Sequence, residues 1–199
     1  MSLYTDHVAK WKNCKLCNYC DKRTKVVLAK GSIPCDILFI GEAPGPSEDI
    51  AGQPFVGPAG HLLGSMIEKA IYQIKVGKPK IAYTNLVACI PLNEEGRKFG
   101  EPSEESIKAC YDRLIEFTLL ARPKGIVRVG QLATKWVAKI FDTYGVWEQL
   151  GLDIYQPLPI TSIIHPAAIL RAEKSQQGLL VQRMTLTIRD FIEKVTVPF

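Results

Sequence analysis

Residues Asp36–Gly60 read "DILFIGEAPGPSEDIAGQPFVGPAG". The opening "DILFI" has the length and apolar character of a buried strand, and Gly41 ends it. Between Gly41 and Gly60 stand five glycines, four prolines, three acids and one phenylalanine. A plain strand-to-helix connector needs only a few residues. Prolines and glycines shape turns, and loop acids are ordinarily solvated. Phe55, however, sits between Pro54 and Val56. A ring held on proline-stiffened backbone makes a stacking platform for a planar ligand, so this loop is a candidate site.

The pattern continues outward from this stretch as alternating strand and helix. "AGHLLGSMIEKAIYQI" reads as a helix with Leu62, Leu63, Met66, Ile67 and Ala70 on one side, and "KIAYTNLVAC" as a second strand. "EPSEESIKACYDRLIEFTLLARP" reads as one long helix, with Ser103 as N-cap, Glu104 and Glu105 in its first turn and Pro123 closing it. "GIVRVG" is a third strand followed by a helix over "QLATKWVAKIF", and "LPITSII" is a fourth strand. A final helix runs from about Ser175 to Val195. The alternation predicts an α/β fold: a three-layer sandwich with a central four-stranded parallel sheet flanked by helices. Ligands of such sheets bind outside the carboxyl ends of the strands. The acidic loop, Asn85 and "HPAAILR" all fall on that rim by topology.

The chain has 199 residues and a net charge of +5, with 47% hydrophobic and 23% charged residues. It is long enough for one domain with a full core over residues 1–199. No apolar stretch has membrane-spanning length, and "MSLYTDHVAKWKNC" has no apolar signal-peptide core, so an intracellular, cytoplasmic protein without a membrane partner is expected. The mild basicity suits a polyanion but does not demand one.

Six cysteines speak more plainly. "CKLCNYC" is Cys-x2-Cys-x2-Cys, and zinc or an iron–sulfur cluster would each take four ligands. Cys89 and Cys110 could complete a set of four with Cys14 and Cys17. Cys110 also reads as a small core residue, Cys35 as buried packing, and Cys20 has no clear partner. Of the three histidines, only His165 follows a strand at the functional rim, where it can donate to a developing oxyanion. Asn85 carries both a donor and an acceptor, matching a nucleobase edge, although a strand-end Asn also bonds local backbone.

Taken together, "GEAPGPSED", "GQPFVGPAG", "TNLVAC" and "HPAAILR", with "CKLCNYCDKRTKVV" and "EPSEESIKAC", resemble the family-four, iron–sulfur uracil-DNA glycosylases, in that family's order and over nearly the whole chain. The resemblance implies a monofunctional enzyme that hydrolyses the N-glycosidic bond of uracil in single- or double-stranded DNA and leaves an abasic site. It implies a monomer and a 4Fe-4S cluster of structural role on Cys14, Cys17, Cys89 and Cys110. It assigns stacking on uracil to Phe55, reading of the uracil edge to Asn85, donation to uracil O2 to His165 and placement of water to Glu42. Gly41 and Ala43 would line the base site. Glu48 would stand near uracil C5 and oppose the methyl of thymine, with Asp49 a weaker candidate. Ile169 and Leu170 offer a wedge for the gap left by a flipped base, and Arg171 and Lys174 contacts to phosphates.

The stretch "NEEGRKFG" between Cys89 and Cys110 is longer than the family's usual loop and offers Arg97 and Lys98 to DNA, or simply surface. Arg128 inside "GIVRVG" is foreign to a buried strand. A covalently linking relative has Gln where Ala43 stands, which disfavours that chemistry. Two other classes compete: a cluster-bearing DNA-binding module without catalysis, and a zinc-stabilised hydrolase of another nucleotide.

Overall fold

The computed structural model describes residues 3–74, 77–93, 100–150 and 158–196. The sheet is built around β2 (Ile37–Gly41). Its side chains alternate: Leu38 and Ile40 enter one core, Ile37 and Phe39 the other, all without solvent exposure. A strand covered on both faces is why "DILFI" is apolar throughout.

On one side of β2 lies β3 (Ile81–Asn85), parallel, with Gly41 opposite Asn85. On the other lie β4 (Gly125–Val129) and then β5 (Ile160–Ile163), also parallel. These are the four strands expected. The sheet has a fifth, β1 (Ala29–Gly31), antiparallel on the far edge of β3, so the four-stranded all-parallel expectation is corrected to a mixed sheet of order β1-β3-β2-β4-β5. Three residues with no alternation carry too little pattern to announce a strand.

Helices cover both faces. The first is α1 (Leu3–Trp11), and α2 (Pro46–Ala51) lies inside the acidic loop. Against one face pack α3 (Pro58–Ile74), α8 (Pro166–Arg171) and α9 (Lys174–Thr196), burying Leu63, Met66, Ile67, Ile169, Ile188 and Ile192. Against the other pack α5 (Tyr111–Ala121) and α6 (Gln131–Thr143), burying Leu114, Phe117, Trp136 and Phe141. The expected long helix is divided. Its first part is α4 (Glu104–Ala109), capped by Ser103, whose Oγ accepts from the Ser106 N–H at 3.2 Å. Cys110 then leaves helical geometry at φ −96°, ψ 0°, and α5 begins beyond it. A short α7 (Val146–Gln149) follows α6.

The helix after β2 covers one face and the helix after β4 the other. The carboxyl ends of these neighbouring strands therefore open a crevice, the position where such sheets bind ligands. Among the described residues, no helix is long and apolar enough to cross a membrane.

Candidate active site and cysteine cavity

The acidic loop is held from within. Gly45 precedes α2, Pro46 starts it, and Gly52 closes it at φ 76° with its N–H donating to the Glu48 carbonyl. The Glu48 carboxylate accepts from the Gly45 N–H at 3.2 Å, the Val56 N–H at 2.8 Å and the Gly57 N–H at 2.7 Å. One acid thus ties both ends of the loop. Asp49, buried, reaches elsewhere: its two oxygens accept from the Thr24 N–H at 3.0 and 2.9 Å. It anchors the segment that carries the N-terminal cysteines, a role the sequence did not announce.

Phe55 is positioned by three contacts. Its φ is 54°, a left-handed conformation costly for a bulky residue, so surrounding structure must enforce it. Lys30 Nζ donates to its carbonyl at 2.8 Å, and its ring tilts against Tyr83 at 5.7 Å. A Cβ on Gly60 would lie 2.2 Å from the Phe55 carbonyl oxygen, so only glycine fits there. The unpredicted strand β1 is what brings Lys30 to this place.

Gly41 explains how Phe55 and Asn85 meet. A Cβ there would lie 2.4 Å from Asn85 Oδ1 and 2.6 Å from Phe55 Cζ. The ring and the amide therefore converge over a bare patch of backbone. Asn85 is 3% exposed, and the chain beyond β3 is bound to the loop: the Leu86 N–H donates to the Gly41 carbonyl and the Val87 N–H to that of Glu42.

Glu42 leaves β2 toward β4. Its Oε1 accepts from the Leu132 N–H at 3.2 Å in the first turn of α6, and a Cβ on Gly130 would collide with it. Burial raises its carboxyl pKa above the usual range. The Leu132 N–H opposes this, Glu101 adds to it, and Arg171 opposes it.

His165 caps α8. Its Nδ1 accepts from the Ala167 N–H at 3.2 Å, which places the proton of the neutral ring on Nε2. Burial lowers its pKa, Arg171 lowers it further, and Glu48 works the other way. The ring is a neutral Nε2–H donor at neutral pH. Arg171, exposed at the end of α8, thus lies within electrostatic reach of both catalytic candidates. The wedge pair separates: Ile169 is 1% exposed and belongs to the core, whereas Leu170 is 44% exposed. Arg128, foreign to its strand, is half-buried and satisfied by Ser162 Oγ at 3.0 Å and the Thr134 carbonyl at 3.3 Å. Arg97 and Lys98 lie outside the described residues.

Cys14, Cys17, Cys89 and Cys110 line one cavity, together with Trp11, Arg23, Leu28 and Arg113. Cys110, at the break between α4 and α5, both lines this cavity and belongs to the buried core cluster with Ile107 and Leu114. Cys20 lines a different, polar groove with Lys12 and Lys25, and Cys35 is buried in the core with its thiol pushed up to about 12. Among the described residues, no three His, Cys, Asp or Glu side chains form a site for a single metal ion. Four thiols around one largely apolar space nonetheless have the donor chemistry an iron–sulfur cluster needs, whose thiolates sit at the corners of a polynuclear core rather than around one ion.

Residues 29–186 match the family model of the uracil DNA glycosylase superfamily. The chain is 30% identical to a type-4 uracil-DNA glycosylase of Archaeoglobus fulgidus, over 85% of this chain and 84% of that one. It is 32% identical to one of Saccharolobus solfataricus, over 85% and 77%, and 32% identical to one of Pyrobaculum aerophilum, over 80% and 81%. With the match spanning both the crevice and the sheet beneath it, this chain belongs to the uracil DNA glycosylase superfamily, alongside its type-4 members.

Proposed function

We propose that the crevice excises uracil from DNA: it hydrolyses the N-glycosidic bond and leaves an abasic site. The observation that carries this is the steric meeting of Gly41, Phe55 and Asn85, with Glu42 and His165 on the same rim. It makes a slot for one flat, polar-edged ring.

The chemistry follows from the groups. Cleavage leaves positive charge on the sugar and negative charge on the base. An extruded uracil stacks on Phe55, which offsets about 1–3 kcal/mol of the unstacking cost. The Asn85 amide reads the edge that distinguishes uracil from cytosine, donating to O4 and accepting from N3–H. His165 Nε2–H donates to O2 as charge develops there, and being neutral it withholds its proton from the leaving base. Glu42 orients the attacking water and favours the cationic sugar, as carboxylates do in glycoside hydrolysis. Glu48, fixed by three amides and close enough to act on His165, sets a negative charge beside the base and opposes a 5-methyl group. Gly41 and Ala43 supply backbone to the slot. Leu170 fills the gap in the duplex, and Arg171 meets a flanking phosphate.

Cys14, Cys17, Cys89 and Cys110 hold a 4Fe-4S cluster in this reading. The cluster would tie the N-terminal segment to the exit of β3 and the start of α5; it enters no bond-breaking step. The chain acts as a monomer within the cell.

The test is base release from a single-uracil oligonucleotide, followed by alkaline cleavage. A cleaved band that is absent with thymine is expected. No band from a brown, folded protein on single- and double-stranded DNA alike would refute the assignment.

A further inference from the structure

Two arginines face the four-cysteine cavity, Arg23 from the cysteine segment and Arg113 from α5. Arg113 is 2% exposed. Its guanidinium donates to Thr84 Oγ1 at 2.8 Å, to the Asn85 carbonyl at 2.6 Å and to the Leu86 carbonyl at 2.7 Å. Thr84 Oγ1 donates onward to the Leu28 carbonyl at 2.7 Å. The remaining nitrogen, Nε, is buried without a hydrogen-bond partner.

A buried guanidinium needs opposite charge and filled donors. No carboxylate forms an ion pair with Arg113 among the described residues; the groups that favour its charge are the sulfurs of Cys110, Cys89 and Cys14. One side of this cation therefore addresses the cavity, and the other side holds the carbonyls at the exit of β3. The residue held is Asn85, which the proposed function makes the reader of the base.

We propose that Arg113 is a positioning residue that couples the loaded cysteine site to the base-reading end of β3. Anionic sulfurs keep the guanidinium in place, and the guanidinium keeps Asn85 in place. When the cavity is emptied, the orphan Nε side of the buried guanidinium loses what it faces and the β3 exit loosens. By linkage the effect runs both ways: a base bound at Asn85 stabilises the loaded cavity by the same factor. This rests on the uracil and iron–sulfur readings above.

The experiment uses the full, loaded chain and follows loss of visible absorbance under an iron chelator. Bleaching is compared with and without a saturating oligonucleotide bearing 2′-fluoro-2′-deoxyuridine, whose fluorine disfavours the cationic sugar and so prevents cleavage. In the wild type the oligonucleotide slows bleaching about fivefold or more, the lower range of ordinary coupling. In Arg113→Met this protection disappears. Should that variant fail to load, Thr84→Val removes one of the three bonds without altering a cavity residue, and protection falls measurably. Equal protection in variant and wild type overturns the coupling, as does a brown, base-releasing wild type that the oligonucleotide does not protect. A colourless or inactive wild type instead overturns the readings beneath it.

Discussion

Two irregular segments meet at Asp49, and they are stabilised in opposite ways. The acidic loop, Gly41–Gly60, is held in large part from within: Glu48 takes three of its amides, α2 is capped at both ends by Gly45 and Gly52, and Gly60 packs against Phe55, with Lys30 of β1 adding one bond from outside. The cysteine segment, Asn13–Thr24, leans on everything around it. Arg23 donates to its own Cys14 carbonyl at 2.6 Å, but the Tyr19 hydroxyl accepts from the Ser103 N–H, Asn18 accepts from Ser106, and Thr24 donates to Asp49. A surface that must receive a base unchanged is preorganised by its own hydrogen bonds. On the proposed reading, the cysteine segment leaves its ordering to a bound cluster.

The largest effect sharpens the first half of that contrast. Asn85→Ala and His165→Ala each lower kcat/KM for base release about 10²–10³-fold, as loss of one oriented polar contact does, while the visible absorbance of the protein stays unchanged. Gel assays and absorbance spectra on the same preparations check this, and loss of colour in either variant would show that the two segments are not separable.

Chelation probes the second half. Removal of iron exposes Asn13–Thr24 to a nonspecific protease such as proteinase K at least about tenfold faster, whereas peptide bonds within Gly41–Gly60 stay protected, because Glu48 holds that loop from within. Mass spectrometry of timed digests reads both regions at once. Equal loosening of the two would break the comparison.

Glu48→Gln follows in size. The amide keeps one acceptor oxygen and places a donor against backbone N–H groups, so loop order falls and kcat/KM drops about 10–100-fold, from about 1.5–3 kcal/mol for a hydrogen bond to a charged group. A smaller step comes from Lys30→Met, which removes the bond to the Phe55 carbonyl and, at about 1 kcal/mol, raises KM roughly fivefold with kcat little changed. Steady-state kinetics separates these from a change in folding measured by thermal unfolding.

The smallest effect is on stability, and it concerns Glu42. Its folded pKa is raised by burial, so its contribution to stability is present below the unfolded carboxyl value and is lost as pH rises through the folded one. At neutral pH the ionised group is a burden on the fold. Glu42→Gln therefore abolishes most base release yet raises Tm by about 2–4 °C, a stability gain at a functional site. His165, with its pKa lowered, stays neutral there, and base release falls only on the acid side as both groups gain protons. A pH–rate profile with a basic limb from His165 would contradict its depressed pKa.

Much of this was readable before any fold was in hand. "DILFI" announced a two-faced strand because period and composition are local, and Ser103 announced its helix because capping is local too. The strands' carboxyl ends gathered Glu42, Asn85 and His165 on one rim because parallel topology leaves no other place for them. What stayed hidden depends on partners distant in sequence. β1 exists only because β3 offers it an edge. Glu48 read as a pocket acid, and its bonds to Gly45, Val56 and Gly57 appear only once the loop folds back. Cys110 read as either ligand or core, and it stands at both: it is buried in the core cluster and lines the cysteine cavity, at a break in the helix that no local pattern announced.

By itself, the sequence determined the layered fold, the rim and the four cysteines, since periodicity, turn chemistry and motif spacing are properties of neighbouring residues. Only the tertiary structure decided that Leu170 rather than Ile169 faces solvent, that Lys30 holds Phe55, and that Arg113 joins the cysteine cavity to Asn85. Burial and the pairing of a buried charge are set by contacts between residues far apart in the chain, and no local pattern records them.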